Sequence, residues 1–87
     1  MQNTMNLLDE ALLVKPAQEW HKTLRLNRNA FHNARIRGHL SPAIAGALAD
    51  ELGKDPKDWI VIAALESERD SECKVRMLKK AKQITSL

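Results

Sequence analysis

Residues 24–38 have the sequence LRLNRNAFHNARIRG, and this stretch decides which fold we expect for the chain. It carries four arginines, three asparagines and one histidine but no acidic residue, whereas an ordinary solvated helix mixes both signs of charge. Alanine and phenylalanine at helical spacing supply a buried side. We predict a helix over residues 28–37, with Asn27 as its N-cap and Gly38 just after its last turn.

The preceding residues predict a second short helix that ends at the beginning of this stretch. Pro16 suits the first turn of that helix, which runs to about Leu24 with Trp20 one turn earlier. Only residues 25–27 separate the two helices. Two short helices joined by a three- or four-residue turn form a helix-turn-helix, whose second helix can enter the major groove of DNA.

The rest of the chain also follows helical rather than strand patterns. Residues 3–14 carry one apolar stripe, and Ser41-Pro42 and Asp55-Pro56 each place a capping side chain before a proline at the first helical position. No stretch alternates with period two, so we expect an all-α fold of about five short helices. Residues 1–65 form the predicted helix-turn-helix domain, and residues 66–87 a basic extension that is either helical or partly ordered.

Length and composition restrict the class of protein. The chain has 87 residues, enough for one domain with a modest core. A single cysteine excludes an intrachain disulfide and a multi-cysteine zinc site, which fits a reducing compartment. No apolar run is long enough to span a bilayer, and the N-terminus lacks the basic leader of a signal peptide. We therefore expect a cytoplasmic protein.

Charge is distributed in blocks along the chain. Residues 15–40 hold six Lys/Arg against one acid, residues 41–72 hold eight acids against three bases, and residues 73–87 hold five bases and no acid. A basic block surrounding the predicted turn favours a polyanionic partner, although a solvated face explains either basic block taken alone.

Residues 24–38 resemble the helix-turn-helix of small phage regulators of the Cro and lambda-repressor type. The similarity consists of Leu24 and Leu26 around the turn, the Ala30-Phe31 pair, Ala34 and the closing Gly38. The order of helices extends it to roughly residues 5–65. The resemblance implies a transcriptional regulator of a phage or prophage, acting in the cytoplasm of a bacterial host as a homodimer on a double-stranded operator.

Two positions depart from the family pattern. His21 stands where the family often has a small residue, and Arg25 stands where the turn often has glycine. Positive φ costs a residue other than glycine about 1 kcal/mol or more. Either the turn differs from that of the family, or Arg25 adopts a strained conformation.

The polar side of the predicted helix supplies candidates for DNA contacts. Arginine pairs bidentately with guanine and asparagine with adenine, and histidine can bind a base or a phosphate. The candidates for base contacts are Arg28, Asn29, His32 and Asn33. The candidates for phosphate contacts are Lys22, Arg25, Arg35, Arg37 and His39. The competing interpretations are that Asn29 caps the helix and that His32 is merely solvated.

The sequence lacks the residue patterns typical of enzymes, metal sites and single-stranded nucleic-acid binders. The three histidines show no metal-ligand spacing, and the acidic pairs lie at helix ends, so we expect no enzyme, cofactor, metal or small-molecule substrate. Trp20 and Trp59 are expected in the core, which leaves no aromatic surface for single-stranded nucleic acid. The alternative function is a protein–protein adaptor, antitoxin-like or host-takeover, that keeps the scaffold without binding DNA.

The dimer surface stays open between two segments. The fifth helix offers Trp59, Ile62 and Leu65, and the extension offers an apolar stripe of Val75, Leu78 and Ala81. The extension has two further interpretations, a basic arm that adds non-specific DNA affinity and a helix that lies on an anionic membrane. The membrane is the weakest of these because the apolar face is short and lacks aromatic residues.

Overall fold

The computed structural model describes residues 3–84 and the side chains of residues 3–83, and within this part the chain is all-helical. It contains six helices and no strand, which confirms the all-α prediction. The helices are α1 (Thr4–Val14), α2 (Ala17–Leu24), α3 (Ala30–Arg37), α4 (Pro42–Glu51), α5 (Pro56–Glu66) and α6 (Glu72–Ile84). The count is six rather than about five because the extension forms α6; residues 85–87 of the extension lie outside the described part.

Local capping sets the ends of most helices as the sequence predicts. The Ser41 hydroxyl accepts a hydrogen bond from the Ile44 N–H at 3.4 Å, and the Asp55 carboxylate accepts one from the Lys57 N–H at 2.9 Å. Gly38 ends α3 in the left-handed region with φ 87°, where a side chain would be strained. These bonds satisfy backbone groups that helix ends leave without partners.

One predicted helix boundary is wrong. The helix expected over residues 28–37 begins at Ala30, and its N-cap is Asn29 rather than Asn27. The Asn27 side chain accepts a hydrogen bond from the Asn29 N–H at 2.8 Å, which holds residues 27–29 in a turn. Asparagine favours such local turns over helix, so α3 starts two residues later.

The core is built from one buried side of every helix. The residues with the largest fully buried side chains include Trp20, Leu48 and Ile62. α5 packs against α4 and α6, and α1 lies against α4 and α5. The Trp20 indole N–H donates to the Ala11 carbonyl at 2.8 Å, which gives this buried polar atom a partner and fixes α2 on α1.

A polar network joins the start of α1 and the end of α5 to the segment after α3. The buried Thr4 hydroxyl donates to the Glu66 carboxylate and accepts from the Leu40 N–H at 3.0 Å. The Glu66 carboxylate also accepts from the Thr4 N–H at 3.2 Å. The start of α1, the end of α5 and the exit of α3 therefore share one buried anchor.

Trp59 lies in the core as expected, and neither Trp59 nor Ile62 is free for a partner. Their side chains are 2% and 0% exposed, because this side of α5 faces the core. Leu65 is half-buried beside it, and Ala81 of α6 is buried in the same core. Val75 stays exposed. No described helix is both long and apolar enough to cross a membrane.

Candidate nucleic-acid interface

The turn between α2 and α3 contains a strained residue. Arg25 is the C-cap of α2 with φ 54° and ψ 51°, and it is the one residue other than glycine with positive φ in the described part of the chain. The Leu26 N–H donates to the His21 carbonyl at 2.9 Å and closes the turn. Of the two alternatives for this position, the structure shows the strained one. Arg25 thus adopts the conformation that glycine would adopt without cost.

The turn leaves the Asn29 side chain available. Asn29 makes no capping hydrogen bond through its side chain, although its carbonyl accepts from the Asn33 N–H at 2.8 Å. Asn27 makes the local side-chain bond instead. Asn29 therefore occupies the N-cap position by its backbone, but its exposed side-chain amide does not cap the helix as the competing interpretation required.

The four candidates for base contacts occupy the start of α3 and the turn before it. Arg28 and Asn29 lie in the turn, and His32 and Asn33 lie in the first turn of α3. All four are exposed, while Phe31 between them is buried. None of the four side chains hydrogen-bonds or pairs with another described residue. The structure thus gathers them on solvent-facing positions of one short segment.

The candidates for phosphate contacts fall into two groups. Lys22, Arg25 and Arg37 are exposed, and their side chains form no ion pair within residues 3–83. Arg35 instead pairs with Asp9 of α1, with 42% and 58% of the two side chains exposed. His39 is half-buried, and its Nδ1 lies 3.4 Å from the Leu40 carbonyl oxygen.

The pair between Arg35 and Asp9 was not foreseen from the sequence. The two residues are 26 positions apart, so no helical spacing connects them. An exposed ion pair is weak and is screened by salt, so a phosphate can compete for the guanidinium. Asp9 nevertheless places one negative charge beside α3.

His21 takes part in the packing of the two helices. Its ring lies 5.0 Å from the Phe31 ring, centre to centre, at an interplanar angle of 56°. Its Nε2 is buried without a hydrogen-bond partner in the described residues. His21 is thus accommodated between α2 and α3 through a tilted aromatic contact.

Within the described residues, no group of three or more His, Cys, Asp and Glu side chains is arranged to hold a metal ion. Cys73 is exposed on α6. No family model, curated protein or solved structure matches the chain. The functional argument therefore depends on the geometry around α3 and on the residue types found there.

Proposed function

We propose that this chain is a sequence-specific, double-stranded DNA-binding transcriptional regulator that places α3 in the major groove. The supporting observation is that Arg28, Asn29, His32 and Asn33 are all exposed at the start of one short helix, and none of their side chains bonds to another residue within residues 3–83. An α-helix with its side chains is about 10–12 Å wide and the major groove about 12 Å, so the two fit.

Base recognition falls to the residues around the start of α3. Arg28 is assigned to guanine O6 and N7, and Asn29 and Asn33 to adenine N6 and N7, because these groups match in donor and acceptor pattern. His32 has one donor and one acceptor when neutral and takes a base edge or a phosphate. A correct bidentate pair contributes about 1–3 kcal/mol of discrimination against the wrong base.

Phosphate contacts fall to the cations on both sides of this segment. Lys22 at the end of α2, Arg25 in the turn and Arg37 at the end of α3 are free for phosphates. Arg35 and His39 are also assigned to phosphates. Arg35 leaves its ion pair with Asp9 when it binds the DNA backbone. Each phosphate neutralised by the protein releases counterions. The logarithm of the affinity therefore falls linearly with the logarithm of the salt concentration, with a slope of about 0.9 per phosphate contact.

Two copies acting together would bind a pseudo-palindromic operator. A two-fold axis repeats α3 in two half-sites about 34 Å apart, which is one helical turn of DNA. The proposal includes no enzymatic activity and no cofactor. The resemblance of residues 24–38 to phage regulators favours a phage-type repressor.

The test starts from selection of binding duplexes from a random library, because the operator is unknown. Fluorescence anisotropy of the selected duplex then compares the wild type with a triple variant, Arg28→Ala/Asn29→Ala/His32→Ala. Arg69→Ala is the matched control, because it removes an exposed cation from the loop between α5 and α6. We expect the triple variant to lose preference for the selected sequence and the control to retain it.

The salt dependence separates this function from the adaptor alternative. A regulator binds the selected duplex tightly at low salt and more weakly as salt rises. A protein that selects no sequence, or whose weak binding is indifferent to salt, contradicts the proposal and favours an adaptor that uses α3 as a surface for an acidic protein.

A further inference from the structure

The last turn of α3 carries an exposed isoleucine. Ile36 is 72% exposed, more than Ile60 of α5 at 41%. Within the described residues, Ile36 belongs neither to the buried core nor to the partly buried apolar side chains that pack against it. Single apolar residues are common on protein surfaces, so this exposure alone indicates no function. The informative observation is the position of Ile36 on the helix.

Ile36 lies on the side of α3 that faces away from the core. Phe31 and Ala34 are the buried residues of this helix, and a rotation of about 100° per residue places Ile36 opposite the midpoint between them. Steps of four and three residues put Ile36 on the same side as His32 and Asn33, which are exposed. Ile36 is therefore an apolar residue within the polar face that is assigned to the bases.

Cations lie on both edges of this face. Arg35 and Arg37 precede and follow Ile36 in the chain, and each projects about 100° away from it around the helix, on opposite sides. The Arg35 guanidinium pairs with Asp9 of α1, whereas the Arg37 side chain is exposed and forms no ion pair within residues 3–83. When both arginines bind phosphates, Ile36 lies between these contacts and faces the floor of the groove.

The floor of the major groove offers an aliphatic side chain one complementary group. Base edges there present hydrogen-bond donors and acceptors, which isoleucine cannot satisfy, and the C5-methyl group of thymine. Covering a donor or acceptor without a new hydrogen bond is unfavourable, whereas contact between two apolar groups removes both from water. The branched side chain is stiff, so it loses little conformational freedom on binding. An isoleucine at this place thus distinguishes thymine from the other bases.

We propose that Ile36 is a specificity-determining residue that contacts the C5-methyl group of a thymine in each half-site. The inference rests on the proposed function, because it requires α3 to lie in the major groove. Ile36 follows Asn33 by about 4.5 Å along the helix axis, and base pairs are about 3.4 Å apart. When α3 lies along the groove, the thymine is expected about one or two base pairs beyond the adenine assigned to Asn33.

Deoxyuridine in place of thymidine removes this methyl group and keeps the base pairing. Each thymine of the selected duplex is replaced in turn, in both half-sites, and fluorescence anisotropy measures the Kd. We expect one position at which the wild type binds about fourfold more weakly per half-site, the fold change that corresponds to exposing one methyl group. Ile36→Ala should bind the thymine duplex more weakly, and its affinities for thymine and uracil at that position should differ by at most about twofold.

Two variants serve as controls. Val75→Ala shortens another branched apolar residue, 54% exposed on α6, and should keep the uracil sensitivity of the wild type. Ile36→Val keeps a branched apolar side chain and should retain part of this sensitivity. Because Ile36 is mostly exposed and alanine favours helix, Ile36→Ala should be at least as stable as the wild type, which thermal unfolding by circular dichroism verifies.

The outcomes separate the role of Ile36 from the proposed function. A chain that selects no duplex sequence overturns both. Three results overturn the role of Ile36 alone and leave the proposed function in place: a selected sequence without a fixed thymine, a wild type that binds every uracil duplex as tightly as the thymine duplex, and equal uracil sensitivity in Ile36→Ala and the wild type.

Discussion

Arg25 links the stability of the domain to its proposed DNA affinity through a single side chain. Its backbone lies in the left-handed region, with φ 54° and ψ 51°, and its exposed guanidinium is assigned to a phosphate. Arg25→Gly removes the backbone strain and the charge together. We expect this variant to be more stable than the wild type and to bind DNA more weakly.

The size of the stability gain follows from two opposing terms. The left-handed conformation costs a residue other than glycine about 1–2 kcal/mol. Glycine loses more conformational freedom on folding, which offsets about 0.4–1 kcal/mol of the gain. The net stabilisation is about 0–1.6 kcal/mol, with a midpoint of about 0.8 kcal/mol. A gain of 1 kcal/mol raises the Tm of a domain of this size by about 4–8 °C.

Arg25→Ala is the matched comparison, because it removes the same charge and keeps the strain. Thermal unfolding by circular dichroism should place Arg25→Gly above Arg25→Ala by several degrees. Fluorescence anisotropy over a range of salt concentrations should show equal losses for both variants. The slope of log affinity against log salt concentration should become shallower by about 0.9 for each lost phosphate contact. A dimer loses two such contacts, so its slope should change by twice that amount.

Two results would refute this reasoning separately. Equal stability of the glycine and alanine variants would mean that the left-handed backbone at Arg25 costs no more than the conformational freedom that glycine loses on folding. An unchanged affinity and salt slope in both variants would mean that the side chain does not contact a phosphate. A loss of affinity confined to one of the two variants would show that the backbone of the turn, rather than the charge, controls binding.

Three further substitutions test other parts of the structure. Thr4→Val leaves the buried Leu40 N–H without its acceptor and should lower the free energy of unfolding by about 1–3 kcal/mol in denaturant titrations, whereas Thr4→Ser keeps the hydroxyl and should lose less; equal losses would show that the hydrogen bonds do not stabilise the fold. Asp9→Asn breaks an exposed ion pair, so it should change stability by at most about 1 kcal/mol. Because Arg35 no longer has to leave Asp9 to reach a phosphate, the variant should bind DNA more tightly than the wild type, and an unchanged affinity would argue against a phosphate contact there. Gly46→Ala would bring a methyl group 2.7 Å from the Ile60 side chain of α5 and should cost about 1–3 kcal/mol in thermal unfolding, and a neutral result would mean that the exposed Ile60 side chain moves aside at no greater cost than the helix propensity that alanine adds.

The sequence predicted the candidate interface better than it predicted the surfaces around it. The exposed positions of Arg28, Asn29, His32 and Asn33 followed from their polar side chains and from the helical spacing of the apolar residues beside them. The ion pair between Arg35 and Asp9 could not be predicted from the sequence, because it joins two helices whose relative placement no local pattern specifies.

Local chemistry let the sequence alone determine where most helices begin and end. The caps at Ser41 and Asp55 and the left-handed Gly38 act within three residues of their partners, so their effect is visible in a short window. The predicted start of α3 was wrong because the Asn27 side chain can either cap a helix or hold a local turn. In the structure it accepts a hydrogen bond from the Asn29 N–H and holds the turn.

Only the tertiary structure decided which apolar residues are buried and which face solvent. Ile62 turned out to face the core, and Val61 turned out to lie on the exposed side of α5. Helical spacing groups these residues into sides but does not state which side the rest of the chain covers. Burial depends on α4 and α6, and the anchor between Thr4 and Glu66 joins residues 62 positions apart, so only the folded chain brings these groups together.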